Sequence, residues 1–185
     1  MVAKNLLIMG PPGSGKGTQA ARIAERRGLA HISTGDMLRA AMAAGTTLGR
    51  RVKDIVDGGD LVPDALMLEL VMYRLGQPDT AAGFLLDGFP RTVAQAEGLI
   101  EALSGDQVLD GIILLEVPED VLVERALARG RADDTEETIR HRLRVYLDST
   151  RPVLAALNGR LDRADIDGVG EMDEITARIE AVLGA

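Results

Sequence analysis

Residues 10–18 read Gly-Pro-Pro-Gly-Ser-Gly-Lys-Gly-Thr. Glycines at 10, 13, 15 and 17 let a backbone curl with its N–H groups inward, which cradles phosphate, and Lys16 adds a full positive charge. The general phosphate-loop pattern places Ser or Thr directly after the lysine. Here Gly17 holds that place and the hydroxyl comes at Thr18, which leaves magnesium coordination through it open at this point. Arginines gather at 125, 129, 131, 140, 142 and 144. Any one of them could be a solvated helix face, but as a group they are permanently charged, bidentate partners for phosphate.

These residues need elements to hold them. Asn5 to Met9 is a short apolar run ending at glycine, as a buried parallel strand would be, and Lys16 to Arg27 has helical spacing. Strand, glycine-rich turn and helix in succession are the context that a phosphate loop requires. Ala30 to Ser33 reads as a second strand, with helices over Gly35 to Ala44 and Leu48 to Val56. A helix over Asp64 to Leu75 follows Pro63, and Phe84 to Leu86 is a third strand running into Asp87-Gly88-Phe89-Pro90. Helix over Thr92 to Leu103, strand over Gly111 to Val117 and helix over Glu119 to Arg129 come next. One long helix is predicted from Thr135 to Leu157, bent or interrupted at Pro152, then a strand over Arg163 to Ile166 and a helix over Glu171 to Leu183. Strands alternating with helices imply an α/β fold, a parallel sheet covered on both faces. The all-helical stretch between Gly35 and Pro63 interrupts that alternation and predicts a small inserted lobe.

Composition narrows the chemistry. The 185 residues suit one domain, and 46% hydrophobic content with only 2% aromatic requires an aliphatic core. Cysteine is absent, which excludes disulfides, thiolate zinc and a Cys nucleophile. No run approaches the ~18 apolar residues of a membrane span and no signal-peptide pattern is present, so a cytoplasmic protein is expected. A net charge of −8 argues against nucleic acid and requires any anionic ligand to be met by a few focused cations.

Taken together, Gly-Pro-Pro-Gly-Ser-Gly-Lys-Gly-Thr, Ser33-Thr-Gly-Asp-Met-Leu-Arg39, Asp87-Gly-Phe-Pro-Arg-Thr92, Gln95 and the segment 130–143 resemble the adenylate kinase family. The likeness covers essentially the whole chain, with its segments in the family's order, and in that family Gly17-Thr18 is the normal form. It implies a P-loop three-layer α/β/α fold with a five-stranded parallel sheet. The core would be residues 1–32, 63–128 and 135–185, with an NMP-binding lobe at 33–62 and a short lid at 129–134. It implies reversible transfer of the terminal phosphoryl of ATP to AMP by a monomer, with Mg²⁺ bound alongside ATP.

By the same resemblance, Gly13, Ser14, Gly15, Lys16, Gly17 and Thr18 hold the ATP phosphates, with Arg125 against the ATP base, Arg129 on its phosphates and Gly170 near its adenine. Thr34, Arg39, Asp60, Leu61, Val62, Gly88, Phe89, Pro90, Arg91 and Gln95 meet AMP, together with Arg131 and Arg142. Lys16, Arg91, Arg129, Arg131 and Arg142 would be the catalytic cations, and Asp87 would orient magnesium through water. The short lid leaves no place for a lid zinc. Plainer readings accompany several of these: Ser33-x-x-Asp36 has capping-box spacing, and Asp87 could be a turn carboxylate. Asp133 and Asp134 are expected to orient the arginines, with Asp134 capping the next helix. Arg140 and Arg144 are expected to be solvated, and His31 and His141 to be structural or on the surface.

Rival readings stay within reach of the same residues. A uridylate or cytidylate kinase would share the loop and the arginines and differ at the acceptor base. A P-loop switch or ATPase module lacks support, because there is neither an Asn-Lys-x-Asp segment nor a strand-end Asp-x-x-Gly with a neighbouring Gln. A non-catalytic nucleotide-binding subunit would be expected to lose Arg91, Arg129 or Arg142, and all three are present.

Overall fold

In a computed structural model of the chain, which describes residues 4–131 and 134–184 apart from the side chain of Asp106, the expected alternation is realised. The order is β1 (Asn5–Met9), α1 (Lys16–Arg27), β2 (Ala30–Ser33), α2 (Thr34–Ala43), α3 (Thr47–Gly58), α4 (Asp64–Leu75) and β3 (Phe84–Asp87). Then come α5 (Val93–Ala102), β4 (Gly111–Glu116), α6 (Glu119–Arg129), α7 (Glu136–Val145), α8 (Arg151–Ala156), β5 (Asp162–Asp167) and α9 (Met172–Leu183). Single 3-10 turns at Pro78–Thr80 and Gly105–Gln107 are additional.

The five strands form one sheet in the order β2-β3-β1-β4-β5, with every neighbouring pair parallel. A strand's side chains alternate between faces, and the core divides accordingly. Leu7 and Met9 of β1, Leu86 of β3 and Leu114 of β4 pack with α4, α5 and α8 on one face. Leu6, Ile8, Leu85 and Ile113 pack with α1 and α9 on the other. Three layers follow, because strands apolar on both faces must be covered twice. Phe84 and Phe89, the only two phenylalanines, are both almost wholly buried, each contributing about 2–3 kcal/mol of apolar burial.

Topology then places the site. From β1 the chain crosses to β2 at one edge of the sheet, and from β3 it crosses over β1 to β4 on the other side. The carboxyl end of β1 therefore lies at the switch point of an open α/β sheet, where the crevice opens. Four helices start with a hydroxyl cap on the third residue's N–H: Ser33, Thr46, Thr92 and Thr135, each worth about 1 kcal/mol. All four of these helices contribute residues to the crevice.

The long helix expected to bend at Pro152 breaks earlier. A π turn over Tyr146–Thr150 joins α7 to α8, and Pro152 lies in the first turn of α8. Proline offers no N–H and its ring crowds the carbonyl four residues back, so the preceding turn widens and the Arg151 N–H reaches the Tyr146 carbonyl.

Candidate active site

The phosphate loop runs from Gly10 into α1, with Gly15 in a left-handed conformation at the helix start. Gly13 shows why the position excludes a side chain: φ is +86°, and a Cβ there would stand 2.4 Å from the Leu122 carbonyl oxygen. The loop is thus pressed against α6, and it is closed on itself by the Ser14 N–H donating to the Pro11 carbonyl at 3.2 Å. The Ser14 hydroxyl is buried without a hydrogen-bond partner among the described residues. Lys16 folds back along the loop, its Nζ donating to the Pro11 carbonyl at 3.0 Å.

The Lys16 ammonium has its pKa lowered to about 8. Burial is the largest cause; Asp87 opposes it, while Arg91, Arg129 and Arg131 add like-charge repulsion. Arg131 is likewise lowered, first by burial and then by Arg39 and Arg129. Arg91 is lowered by the protein packed around it and by Arg142 and Arg39, with Asp87 opposing, although its guanidinium still opens to the crevice. Cations are therefore held against their mutual repulsion, which an incoming polyanion would relieve.

Several of the site's side chains are aimed by specific contacts. Arg91 donates through Nε to the Gly88 carbonyl at 2.8 Å, and its own N–H is held by Gln95 Oε1 at 2.7 Å. Gln95, in turn, donates to Asp64 at 2.8 Å, which leaves its amide one further N–H and one lone pair, and the residue borders the crevice. Thr34 donates to the Gly88 carbonyl at 2.9 Å, and Arg39 pairs with Asp36 at 2.5 Å. Ser33 does cap α2, by accepting from the Asp36 N–H, while the Asp36 carboxylate turns to Arg39 in place of closing the box. Arg125 donates to the Gly168 carbonyl at 2.8 Å.

Asp134 behaves differently from the cap expected of it. Thr135 caps α7, and the wholly shielded Asp134 carboxylate pairs with Arg129 and Arg142, both at 2.9 Å. Two guanidiniums satisfy its oxygens better than one backbone N–H could. The expected role of orienting arginines thus falls to Asp134; Asp133, like part of the 129–134 segment, lies outside the described residues. Arg142 also donates to the Val56 carbonyl at the end of α3 at 3.1 Å. Arg140 pairs with Glu136 on the surface, and Arg144 is exposed.

All the site residues named from the sequence border one cleft of about 840 Å³, from Gly13 and Lys16 through Arg39, Val62 and Arg91 to Gly170. Sequence reasoning missed others. His31 lines the cleft with Nε2 3.8 Å from Asp87, and Tyr146, Gln19 and Met172 also border it. His141, expected to be structural or on the surface, meets the exposed Asp60 at 2.7 Å. The period-two alternation of β2, with Ile32 in the core, could have turned His31 to the crevice side; the pairing of His141 had no local signal.

The glycine that stands where the general pattern has a hydroxyl lies beside Asp87, and a Cβ there would make ordinary van der Waals contact, 3.4 Å, with Asp87 Oδ2. Thr18, one residue on, is exposed to the cleft. Asp87 is almost buried; its main-chain carbonyl accepts from Thr34 at 3.3 Å, while its carboxylate makes no hydrogen bond among the described residues and has the Lys16 charge and, at 3.8 Å, His31 Nε2 beside it.

The adenylate kinase family model matches residues 8–160. An adenylate kinase of Stenotrophomonas maltophilia strain K279a is 53% identical over 187 residues, covering 97% of this chain and 99% of the relative. Those of Rhodococcus erythropolis and Xanthomonas euvesicatoria pv. vesicatoria are each 50% identical, covering 97% of this chain and 98% of the relative. With the phosphate loop, the strand-end Asp-Gly-Phe-Pro-Arg segment and the arginines converging on one cleft, and this likeness running the length of the chain, the protein belongs to the adenylate kinase family.

Proposed function

We propose that the cleft divides into an ATP half and an AMP half, and that the family's reaction, ATP and AMP giving two ADP, takes place where they meet. The ATP half comprises Gly13 to Thr18, Arg125, Arg129 and Gly170. The AMP half comprises Thr34, Arg39, Asp60, Leu61, Val62, Gly88 to Arg91 and Gln95, with Arg131 and Arg142 reaching the junction. One observation carries this: Lys16, Arg39, Arg91, Arg129, Arg131 and Arg142 come from separate elements of an acidic chain and border one cleft.

The acceptor oxygen of AMP is ionised at pH 7, so no general base is required. It attacks the γ-phosphorus as the bond to the β–γ bridging oxygen breaks, and ADP leaves. Charge on the equatorial oxygens is the difficulty, and positioned cations are the answer. Lys16 and Arg129 hold the donor phosphates, Arg91 grips the AMP phosphate, and Arg131 and Arg142 meet the transferring group. Asp134 keeps Arg129 and Arg142 in register through its two pairs.

Magnesium fits the residues present. Asp87, with no competing hydrogen bond on its carboxylate, is suited to holding a hydrated ion through water, and no cluster of three or more His, Cys, Asp or Glu among the described residues forms a dedicated cage. The ion, when bound with ATP, supplies neutralisation of β- and γ-phosphate charge. No helix among the described residues is long and apolar enough to cross a membrane. A cleft complete within one chain supports a monomer, acting on free nucleotides in the cytoplasm. The 33–62 lobe and the 129–134 loop would close over the substrates and exclude water; contacts of Arg142 with Val56 and of His141 with Asp60 link that lobe to α7.

Initial rates with AMP, UMP and CMP as acceptors test the assignment, with AMP expected to be favoured by orders of magnitude. A better rate with UMP or CMP would move the protein to another branch of the fold. A structure with two adenosines joined by five phosphates would place both halves at once.

A further inference from the structure

Gln19 is 2% exposed in the first turn of α1, one residue beyond the phosphate loop. A buried amide is costly unless its donors and acceptors are met. Its Nε2 donates to the Met172 carbonyl at 3.0 Å, and its Oε1 accepts from Thr176 Oγ1 at 2.7 Å. Thr176 is fully buried, and its hydroxyl also lies 2.8 Å from the Met172 carbonyl. Rotating the amide would set Oε1 against that carbonyl, acceptor against acceptor, so chemistry fixes the orientation. Three groups thus close a small polar triangle between α1 and the first turn of α9.

The surroundings give this triangle its significance. Around it, Ala20, Ile23, Ala24, Ile175 and Ile179 make an apolar seam, which holds the helices together without fixing their register. Outside it, Arg22 pairs with Asp173, an exposed contact of the kind worth little. Gly170, Glu171 and Met172 border the cleft at the end opposite the AMP half, and the Met172 side chain is 56% exposed there. At the far end of the seam Arg27 holds Glu180 and the Gly184 carbonyl, so the buried directional contact that reaches the segment 170–172 itself is Gln19.

We propose that Gln19 is a positioning residue for the phosphoryl donor: its amide sets the segment 170–172, which receives the donor base, at a fixed offset from the loop that holds the donor phosphates. This rests on the reading that Arg125 and Gly170 flank the ATP base. A nucleotide must satisfy both ends of that offset at once, so Gln19 acts on ATP without touching it. The AMP half lies across the sheet from α9 and is outside its reach.

The test compares Gln19→Leu, which keeps the shape and removes the amide's polarity, with Thr176→Val, which removes only the hydroxyl. ATP and inorganic tripolyphosphate affinities are measured by calorimetry, and KM values for ATP and AMP by kinetics. The expected result is about a tenfold loss of ATP affinity in Gln19→Leu, the effect of one lost buried hydrogen bond, with tripolyphosphate affinity and the KM for AMP within twofold of the parent. The preference for ATP over GTP should fall with it. Equal loss for ATP and tripolyphosphate, or equal rises in both KM values, would overturn the proposal in favour of general damage. Unchanged ATP affinity in Gln19→Leu would also overturn it, provided Arg125→Ala weakens ATP; if Arg125→Ala has no effect either, the placement of the donor base is what fails. Should Gln19→Leu not fold, Thr176→Val decides, because a loss for ATP but not tripolyphosphate supports the proposal and no selective loss refutes it.

Discussion

ATP should draw a proton onto the protein as it binds in alkaline solution. In the free enzyme the Lys16 ammonium has its pKa lowered from 10.5 to about 8, by burial and by Arg91, Arg129 and Arg131 in spite of Asp87. The triphosphate would bring several negative charges against it, which favours the charged form and restores an ordinary lysine pKa. At pH 9 a group of pKa about 8 is about one-tenth protonated and one near 10.5 is almost fully so, giving an uptake of about 0.9 proton per ATP. Nucleotide phosphates, with second ionisations near pH 6, are already stripped of protons there and contribute none. Calorimetric titration at pH 9 in two buffers of different ionisation enthalpy reads the uptake directly, and Lys16→Met should bind more weakly with none. The KM for ATP should accordingly rise as pH passes above about 8. Identical binding enthalpies in the two buffers, or the same uptake by Lys16→Met, would refute the reasoning. The same shift has a consequence for the free enzyme. Its folded pKa lies below the unfolded value, so the unfolded chain binds more protons between about 8 and 10.5, and the Lys16 contribution to stability increases with pH across that window.

Three further outcomes follow from other contacts. Arg91→Ala should reduce kcat by about a thousandfold or more while leaving the calorimetric Kd for ATP nearly intact, because its place is on the acceptor phosphate; an equal loss of ATP binding would put it on the wrong phosphate. Asp134→Ala removes the buried carboxylate that Arg129 and Arg142 share and should cost about 2–4 kcal/mol, lowering Tm in thermal melts by roughly 10 °C. Gly49→Ala would set a Cβ 2.1 Å from the Ala41 carbonyl oxygen and force α2 and α3 apart; steady-state kinetics should show the KM for AMP raised about tenfold and that for ATP unchanged.

Much of the fold was legible because its signals are local. The apolar run of β1, the glycines after it and the helical spacing from Lys16 lie within two dozen residues, and the strand and helix starts fall within a residue or two of the expected ones. The π turn was not legible: the sequence shows Pro152, but whether the chain kinks at the proline or widens before it depends on how α7 and α8 pack. Asp134 shows the same limit at the site. Its spacing to Glu137 is that of a cap, and the competing claim of two arginines appears only once Arg129 and Arg142 are brought to it.

By itself the sequence determined the phosphate loop, the alternation that requires a parallel sheet, the aliphatic core and the cations available to meet an anion. These depend on propensity, periodicity and spacing along a short stretch of chain. The tertiary structure decided which cations share one cleft, that Asp134 is their counter-ion, that His141 reaches Asp60, and that Gln19 joins the loop's helix to α9 across 153 residues. Such contacts follow from sheet order and helix packing, which bring together residues whose sequence neighbours carry no trace of the meeting.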